Sequence, residues 1–296
     1  MQGTCAFSEA KEENNGERGE TVEHRQEVSK AVIQRLPRYY RNICELKAEG
    51  VKEIMLLGQN VNSYGKDLGI GYDFADLLAA LDRIEGDYLI RFMSSQPKDA
   101  SHKLFDVMAA SRHVARQLHL PVQSGCDRVL RAMNRPYDVE KYLELITYAR
   151  RVMPELVLTS DVIIGFPGET EAEAMETVAL VEKVRFDALF TFIFSPRPGT
   201  PAARLPDPVP REEKQKWFDR LCAVQNGISE ELHRQYVGQT LRCLVDGVSD
   251  DARWQLTART AGGRLVHCVG DKNAVGEYRN VKITDSNTWA LFGEVE

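Results

Sequence analysis

No two cysteines of this 296-residue chain stand close together: Cys5, Cys44, Cys126, Cys222, Cys243 and Cys268 are the six, and the shortest spacing, from Cys222 to Cys243, is 21 positions. A zinc or iron-sulfur site built on one tight loop needs thiolates a few residues apart, because ligands on a single turn are already partly positioned. The sequence therefore contains no loop-local metal site, and scattered buried thiols are the reading for all six. Long apolar runs are missing too. None approaches the roughly 20 residues of a membrane helix, and the opening MQGTCAFSEAKEENNGERGE lacks the basic-then-apolar order of a signal peptide. A cytoplasmic protein with no membrane partner is expected. Positive charge is not in excess either: the net charge is -6, so any contact with nucleic acid has to come from a local patch. Neither G-x-G-x-x-G nor a P-loop lysine occurs, which leaves the usual dinucleotide and nucleoside-triphosphate sites unsupported.

What is present is an ordinary globular composition, 43% hydrophobic and 28% charged, enough for one sizeable core and a smaller module. Residues 1 to about 30 are acidic and polar with almost no apolar periodicity and read as a disordered tail. Beyond them, short apolar runs at 53–59, 88–95, 117–122, 157–165 and 188–195 read as five buried parallel strands. Segments of helical length at 73–84, 138–152 and 171–184 lie between them. Repeated strand-then-helix units require crossovers and hence a parallel sheet, with the chemistry at the carboxy-terminal strand ends. A proline-rich linker, 205–210, leads to an amphipathic helix over 211–236, and five short strands separated by Gly- and Asp-rich turns then read as a small β-barrel resembling an oligonucleotide-binding fold.

The motifs at the strand ends are polar. Gly58-Gln-Asn-Val-Asn-Ser-Tyr64 could bind the polar parts of a cofactor or be an Asn/Ser-rich turn that satisfies its own backbone. His119-Leu-Pro-Val-Gln-Ser-Gly125 follows the third strand. His119 reads as a satisfied core histidine, and Gly125 permits close approach of a ligand. In Asp161-Val-Ile-Ile-Gly-Phe-Pro-Gly-Glu-Thr170 the backbone could lie against an adenine ring while Asp161 or Glu169 accepts from hydroxyls, the alternative being a strand-to-helix turn capped by Thr170.

Taken in order, Leu56 to Tyr64, His119 to Gly125 continuing into Leu130-Arg-Ala-Met-Asn-Arg-Pro-Tyr137, Asp161 to Thr170 and Phe194-Ser-Pro-Arg-Pro-Gly-Thr-Pro-Ala202 resemble the MiaB-type tRNA methylthiotransferases of the radical S-adenosylmethionine (SAM) family. The resemblance covers roughly residues 44 to 296 and implies a partial radical-SAM (β/α) barrel over 43–232, an α/β unit with parallel strands and a bracing helix. A small all-β TRAM barrel, an OB-like RNA-binding module, follows over 233–296. The activity it implies is 2-methylthiolation of isopentenyl-adenosine beside the tRNA anticodon, with SAM and two [4Fe-4S] clusters as cofactors and tRNA as partner. The Pro-Val-Gln-Ser-Gly and Ser-Pro-Arg-Pro-Gly runs favour the tRNA branch over the sister enzyme that modifies a ribosomal protein. Carried over by motif, Gln59 with Asn60, and Ser124, would face SAM, and Arg135 would pair with its carboxylate or ribose side. The run through Asp161, Ile164, Gly165 and Phe166 to Glu169 would hold the adenosine. On the TRAM side, Arg253, Arg259, Arg264, Lys272 and Lys282 could gather on one barrel face and contact phosphates, although this segment carries as many acidic as basic residues.

The chain departs from the family where the first cluster would be held. The family has a C-x3-C-x2-C loop upstream of the helix preceding the Gly58-Gln59 strand, whereas residues 26–42 contain no cysteine and Cys5 stands alone. The family's separate amino-terminal domain, with three more cysteines, is also missing. Residues 1–42 show none of the family's motifs, as a truncated or frame-shifted reading frame would. The expectations are a methylthiotransferase by descent, or a catalytically dead remnant that binds tRNA or SAM, or, least, an unrelated barrel enzyme acting on a phosphorylated substrate. With one strand missing, the open barrel edge exposes backbone groups and invites instability or oligomerisation; a chain that folds well is expected to be a monomer.

Overall fold

A computed structural model describes residues 30–66 and 71–296, with side-chain surroundings from residue 38 onward. The expected strands and helices are present, most with trimmed ends. Strands β1 (Glu53–Leu56) and β2 (Leu89–Phe92) pair in parallel, as do β3 (Gln117–His119), β4 (Val157–Ile164) and β5 (Ala188–Ile193). A parallel bridge between Ile90 and Val114 joins the two groups, so the strands follow one another in chain order as part of a barrel wall.

The crossovers are made by helices whose starts are written in the sequence. Asp73 and Asp76 form a capping box at α2 (Phe74–Leu81), Ser101 caps α3 (His102–Ala110), Asp138 caps α5 (Val139–Val152), and Thr170 with Glu173 forms a second capping box at α6 (Glu171–Val184). Each cap satisfies backbone N–H groups that the first turn leaves unpaired. Between β3 and α5 lies the short α4 (Asp127–Ala132). The helices cover the outer face of the strands, where Ile90, Leu118, Leu158, Val162 and Ile164 pack against Leu78, Leu81, Phe105, Tyr142, Val181 and Phe186. Removing each such side chain from water stabilises the fold by about 1.5–3 kcal/mol.

The division placed at residue 42 falls inside helix α1 (Lys30–Ala48). Ile43 is buried and Tyr39, Cys44 and Leu46 pack on the same core, so this helix belongs to the barrel wall from residue 39 onward. Of the segment 1–42 expected to be atypical and disordered, residues 1–29 lie outside the described residues, whereas residues 30–42 are helical, as the first part of α1.

Helix α7 (Arg211–Arg234) lies beside α6 and β5 and leads into a closed five-stranded barrel of β6 (Thr240–Val248), β7 (Leu256–Thr260), β8 (Leu265–Val269), β9 (Tyr278–Ser286) and β10 (Leu291–Val295), in the order β10-β8-β7-β6-β9. Cys243, Val245, Leu256, Ala258, Val266, Cys268, Val281, Ile283 and Leu291 fill it. At Gly293, beside a register shift in β10, a Cβ would sit 2.4 Å from the Lys282 carbonyl oxygen, so only glycine lets the barrel close there.

The small barrel is seated on the parallel strands through its β7–β8 turn. The Arg91 guanidinium donates to the carbonyls of Thr260 and Ala261, both at 2.9 Å. Gly262 and Gly263 press so closely that added Cβ atoms would lie 2.4 Å from Val157 Cγ2 and 2.6 Å from Gln117 Oε1.

Candidate functional site

Alternation along the strands divides the parallel sheet chemically. The outer face is aliphatic, whereas the concave face carries Glu53, Arg91, Gln117, His119, Thr159 and Asp161 together with Phe190 and Phe192. At its amino-terminal end this face is closed by the small barrel's turn, where Arg91 also pairs with Glu53 at 2.8 Å and donates to Gln117 at 2.6 Å. The carboxy-terminal end is left for a ligand.

There the backbone is bent in one recurring way. Ser94, Gln123 and Gly165, just past β2, β3 and β4, have φ of 65°, 71° and 74°. Glycine adopts this left-handed region freely, whereas for serine and glutamine it costs energy that the surroundings must supply. Such strain concentrates at binding sites.

After β1, Gln59 is exposed, free to meet a ligand. Asn60 donates to Asp99 at 2.5 Å, and Asp99 also accepts from Lys66. These partners pull the Asp99 carboxyl below the usual carboxylate range against the burial that would raise it. Asn62 is buried and its Oδ1 accepts from Ser95 at 3.2 Å. Asn60 Oδ1 and Asn62 Nδ2 are buried without partners, as is Nε of Arg135. Unpaired buried polar atoms cost about 1–3 kcal/mol each. Polar groups left waiting at the ends of β1 and β2 fit a cofactor with many donors and acceptors.

Two of the expected contacts are turned inward. Ser124 is fully buried against α6, with its Oγ 3.4 Å from Thr177 Oγ1. The close approach allowed by Gly125 is to that helix as well: its N–H donates to Thr177 Oγ1 at 2.8 Å, and a Cβ would lie 2.6 Å from the Thr177 Cα. The run after β4 is similarly braced. The Ile164 side chain lies in the aliphatic core and its carbonyl accepts from Phe194. Phe166 packs with Cys126 and Val129 and meets the Phe194 ring edge-on at 5.1 Å. Glu169 is buried, and its Oε2 accepts from the N–H groups of Gly165 at 2.5 Å and Phe166 at 2.9 Å. Burial pushes its pKa up to about 7 even though both N–H groups pull it down. Its role here is to shape the turn, with Oε1 left unpaired.

A clasp on the other side of this turn has no signature in the motifs. Buried Lys214 of α7 donates to the Gly165 carbonyl at 2.7 Å and to both Asp207 oxygens at 2.7 and 2.6 Å. Lys214 stands one turn before Trp217 on the buried face of α7, but a lysine there reads as solvated, and only the packing of α7 against the turn reveals its partners. His119 departs in part from the expected core histidine. It is buried, but on the concave face, with Nδ1 2.9 Å from Thr159 Oγ1 and Nε2 3.4 Å from Asp161 Oδ1.

The five basic residues expected to form one patch are dispersed. Arg264 lies buried between the domains in an ion pair with Asp187. Arg259 pairs with Asp246 at 2.9 Å. Lys282 opposes Thr240 whereas Arg259 opposes Leu244, four residues farther along β6, which is roughly 13 Å. Lys282 also donates to the Gly238 carbonyl, and Arg253 stacks on Trp254 with 4.5 Å to the ring centroid. Lys272 sits in the turn between β8 and β9.

Among the described residues, no group of three or more His, Cys, Asp or Glu side chains could hold a metal ion. Cys126 is buried with Val129 and Phe166, and burial raises its thiol pKa. Cys243 and Cys268 lie in the small barrel's core, their pKa values pushed up to about 12 and about 11 by burial. These residues do not fit an iron-sulfur cluster. No helix among them is long and apolar enough to cross a membrane.

The family model described as the radical SAM superfamily matches residues 5–181, and the TRAM domain model matches residues 234–295. The first match therefore reaches back through most of the segment 1–42, which the motifs had left outside the family. Curated relatives from several bacteria carry the name tRNA-2-methylthio-N(6)-dimethylallyladenosine synthase. The one from Clostridium botulinum (strain Langeland / NCTC 10281 / Type F) is 46% identical over 252 residues, 85% of this chain and 56% of the relative. The one from Thermoanaerobacter sp. (strain X514) is 48% identical over 251 residues, 85% of this chain and 53% of the relative. The chain thus spans about half the length of the curated relatives it matches. Among solved structures, coproporphyrinogen III oxidase (HemN) from Escherichia coli, a radical SAM enzyme, aligns over 92% of this chain and 66% of its own with a TM-score of 0.53 and 16% identity, a likeness of fold.

Proposed function

The chain belongs to the radical SAM superfamily and ends in a TRAM domain, and on that premise we propose that it is the barrel and RNA-binding portion of a tRNA methylthiotransferase acting at C2 of N6-dimethylallyladenosine. The observation that carries this reading is the 46% identity, sustained over 252 residues, to relatives of that name. Membership in the superfamily implies SAM and a [4Fe-4S] cluster as the family's cofactors. When bound together they supply a carbon-centred radical able to take hydrogen from an unactivated position.

The residues of this chain suit the SAM side of that chemistry. Gln59, Asn60 and Arg135 offer amide and guanidinium groups to the amino-acid and ribose portions. The left-handed turn at Gly165, fixed by Glu169 and Lys214, presents a rigid backbone to the adenine. Asp161 looks onto the concave face below. Ser124 supports this site from behind, through Thr177. No step is assigned through a cluster, because the described residues do not supply its ligands.

A second reading, an inactive chain that retains RNA or SAM binding, is favoured by one observation: the nearest two cysteines are 21 positions apart. Two measurements separate the readings. Complementing a strain that lacks the modification with this chain, and analysing digested tRNA for the 2-methylthio nucleoside, tests activity. Titrating the purified chain with tRNA at several salt concentrations tests binding, which should weaken steeply with salt as phosphate contacts release counterions. Binding without modified nucleoside selects the inactive reading. Absence of both overturns the tRNA assignment.

A further inference from the structure

Phe190 and Phe192 are 52% and 53% exposed, on the concave face of a strand whose alternate residues Leu189 and Ile193 are more buried. Two neighbouring aromatic side chains left open to solvent on a functional face mark a surface that something covers. Register places Phe190 beside Asp161 and Phe192 beside Ile163. Asp161 is a carboxylate whose side chain is 31% exposed, with Oδ1 held by His119. His119 is fixed in turn by Thr159, and its ring meets Phe190 edge-on at 5.7 Å. A cleft of about 360 Å³ begins at the next pair down, Thr159 and Ala188, and runs along β5 toward the small barrel.

We propose that this layer of the concave face, Asp161 held by His119 beside Phe190 and Phe192, reads the nucleobase: the carboxylate accepts the N6–H of an adenine, and the two rings cover an apolar substituent on the same nitrogen. The inference rests on the tRNA reading above and assigns the base-recognition site within it. The juxtaposition is what the ligand chemistry requires. A secondary amine bearing a branched hydrocarbon has one hydrogen to donate and, directly adjacent, a greasy group to bury. An acceptor beside two exposed aromatic rings matches both. The closing turn of the small barrel lies below this layer and the strained strand ends lie above it, so a base here stands between the docked RNA-binding module and the proposed cofactor loops. His119 is a positioning residue, since it acts through Asp161.

The test uses the whole chain and three anticodon stem-loop RNAs that differ at one base: N6-dimethylallyladenosine, unmodified adenosine, and purine riboside, which has no exocyclic amine. The dimethylallyl RNA should bind at least about tenfold more tightly than the adenosine RNA, because burying even one or two carbons discriminates on that scale. Phe190→Ala combined with Phe192→Ala should abolish that preference, so that the dimethylallyl and adenosine RNAs bind this variant equally. Asp161→Asn and His119→Gln should weaken the adenosine and dimethylallyl RNAs severalfold but not the purine RNA, a split that a general loss of structure would not give. Equal affinities for the three RNAs, or equal loss across all three in every variant, would overturn the site while the tRNA reading stands. Failure of all three to bind would remove both.

Discussion

Arg264 of the small barrel and Asp187, the residue just before β5, form an ion pair whose side chains are only 6% and 9% exposed. Asp187 Oδ2 also accepts the Leu158 N–H at 2.6 Å, and the Arg264 guanidinium lies over the Tyr236 ring, 4.8 Å from its centroid. An arginine expected to meet phosphate is spent on holding the two domains together. Arg264→Ala should therefore cost about 3–5 kcal/mol, because it leaves a buried carboxylate without its cation. Denaturant unfolding would measure this. A cost within about 0.5 kcal/mol, typical of a surface change, would show that water replaces the guanidinium and that the pair holds nothing.

Lys214→Met removes the cation that joins the Gly165 carbonyl to Asp207 while keeping the aliphatic stem. Loss of charge-assisted hydrogen bonds of this kind costs about 1.5–3 kcal/mol. Hydrogen exchange should quicken over residues 165–169 and remain unchanged in β6 to β10. Unaltered exchange at 165–169 would mean that Glu169 alone shapes the turn.

Glu169 makes stability depend on pH. Its carboxyl is raised from the ordinary 4.5 to about 7 in the fold, so the native state holds its proton more tightly than the unfolded chain. That contribution is complete below about pH 4.5, declines as pH rises and is lost above about 7, a change on the order of 3 kcal/mol. Glu169→Gln keeps an acceptor for the Gly165 and Phe166 N–H groups but cannot ionise. The difference in unfolding free energy between variant and parent should therefore grow in favour of glutamine from about pH 4.5 to about 7 and level off above it. A difference that is flat across this range would place the Glu169 proton elsewhere.

Anaerobic reconstitution of this 296-residue chain with iron and sulfide should leave no stoichiometric [4Fe-4S] cluster after desalting. Its six cysteines are at least 21 positions apart, and Cys126 is buried in one packing cluster whereas Cys243 and Cys268 are buried in another. Retained iron and sulfide with a thiolate-to-iron absorption band would require ligands from distant parts of the chain to converge.

The chain's own sequence determined the elements and the family. Short continuous apolar runs, Asp73, Asp138 and Thr170 at helix starts, and the ordered motifs from Gly58 to Ala202 are local signals, since capping and run length depend on residues a few positions apart. The glycine-rich end of β4 was legible in the same way. Tertiary structure decided which of those polar residues are free. Ser124 and Gly125 fit a ligand-facing loop by composition, yet α6 occupies the space before them, because Thr177 offers a hydroxyl 52 residues away. Arg264 is indistinguishable in sequence from the exposed Arg259, and only docking of the β7–β8 turn against Asp187 buries it. His119 and Asp161, 42 positions apart, become neighbours through the parallel pairing of β3 and β4. Burial and pairing of this kind arise from the whole packed chain, since a side chain's solvation is set by what the rest of the molecule brings to it.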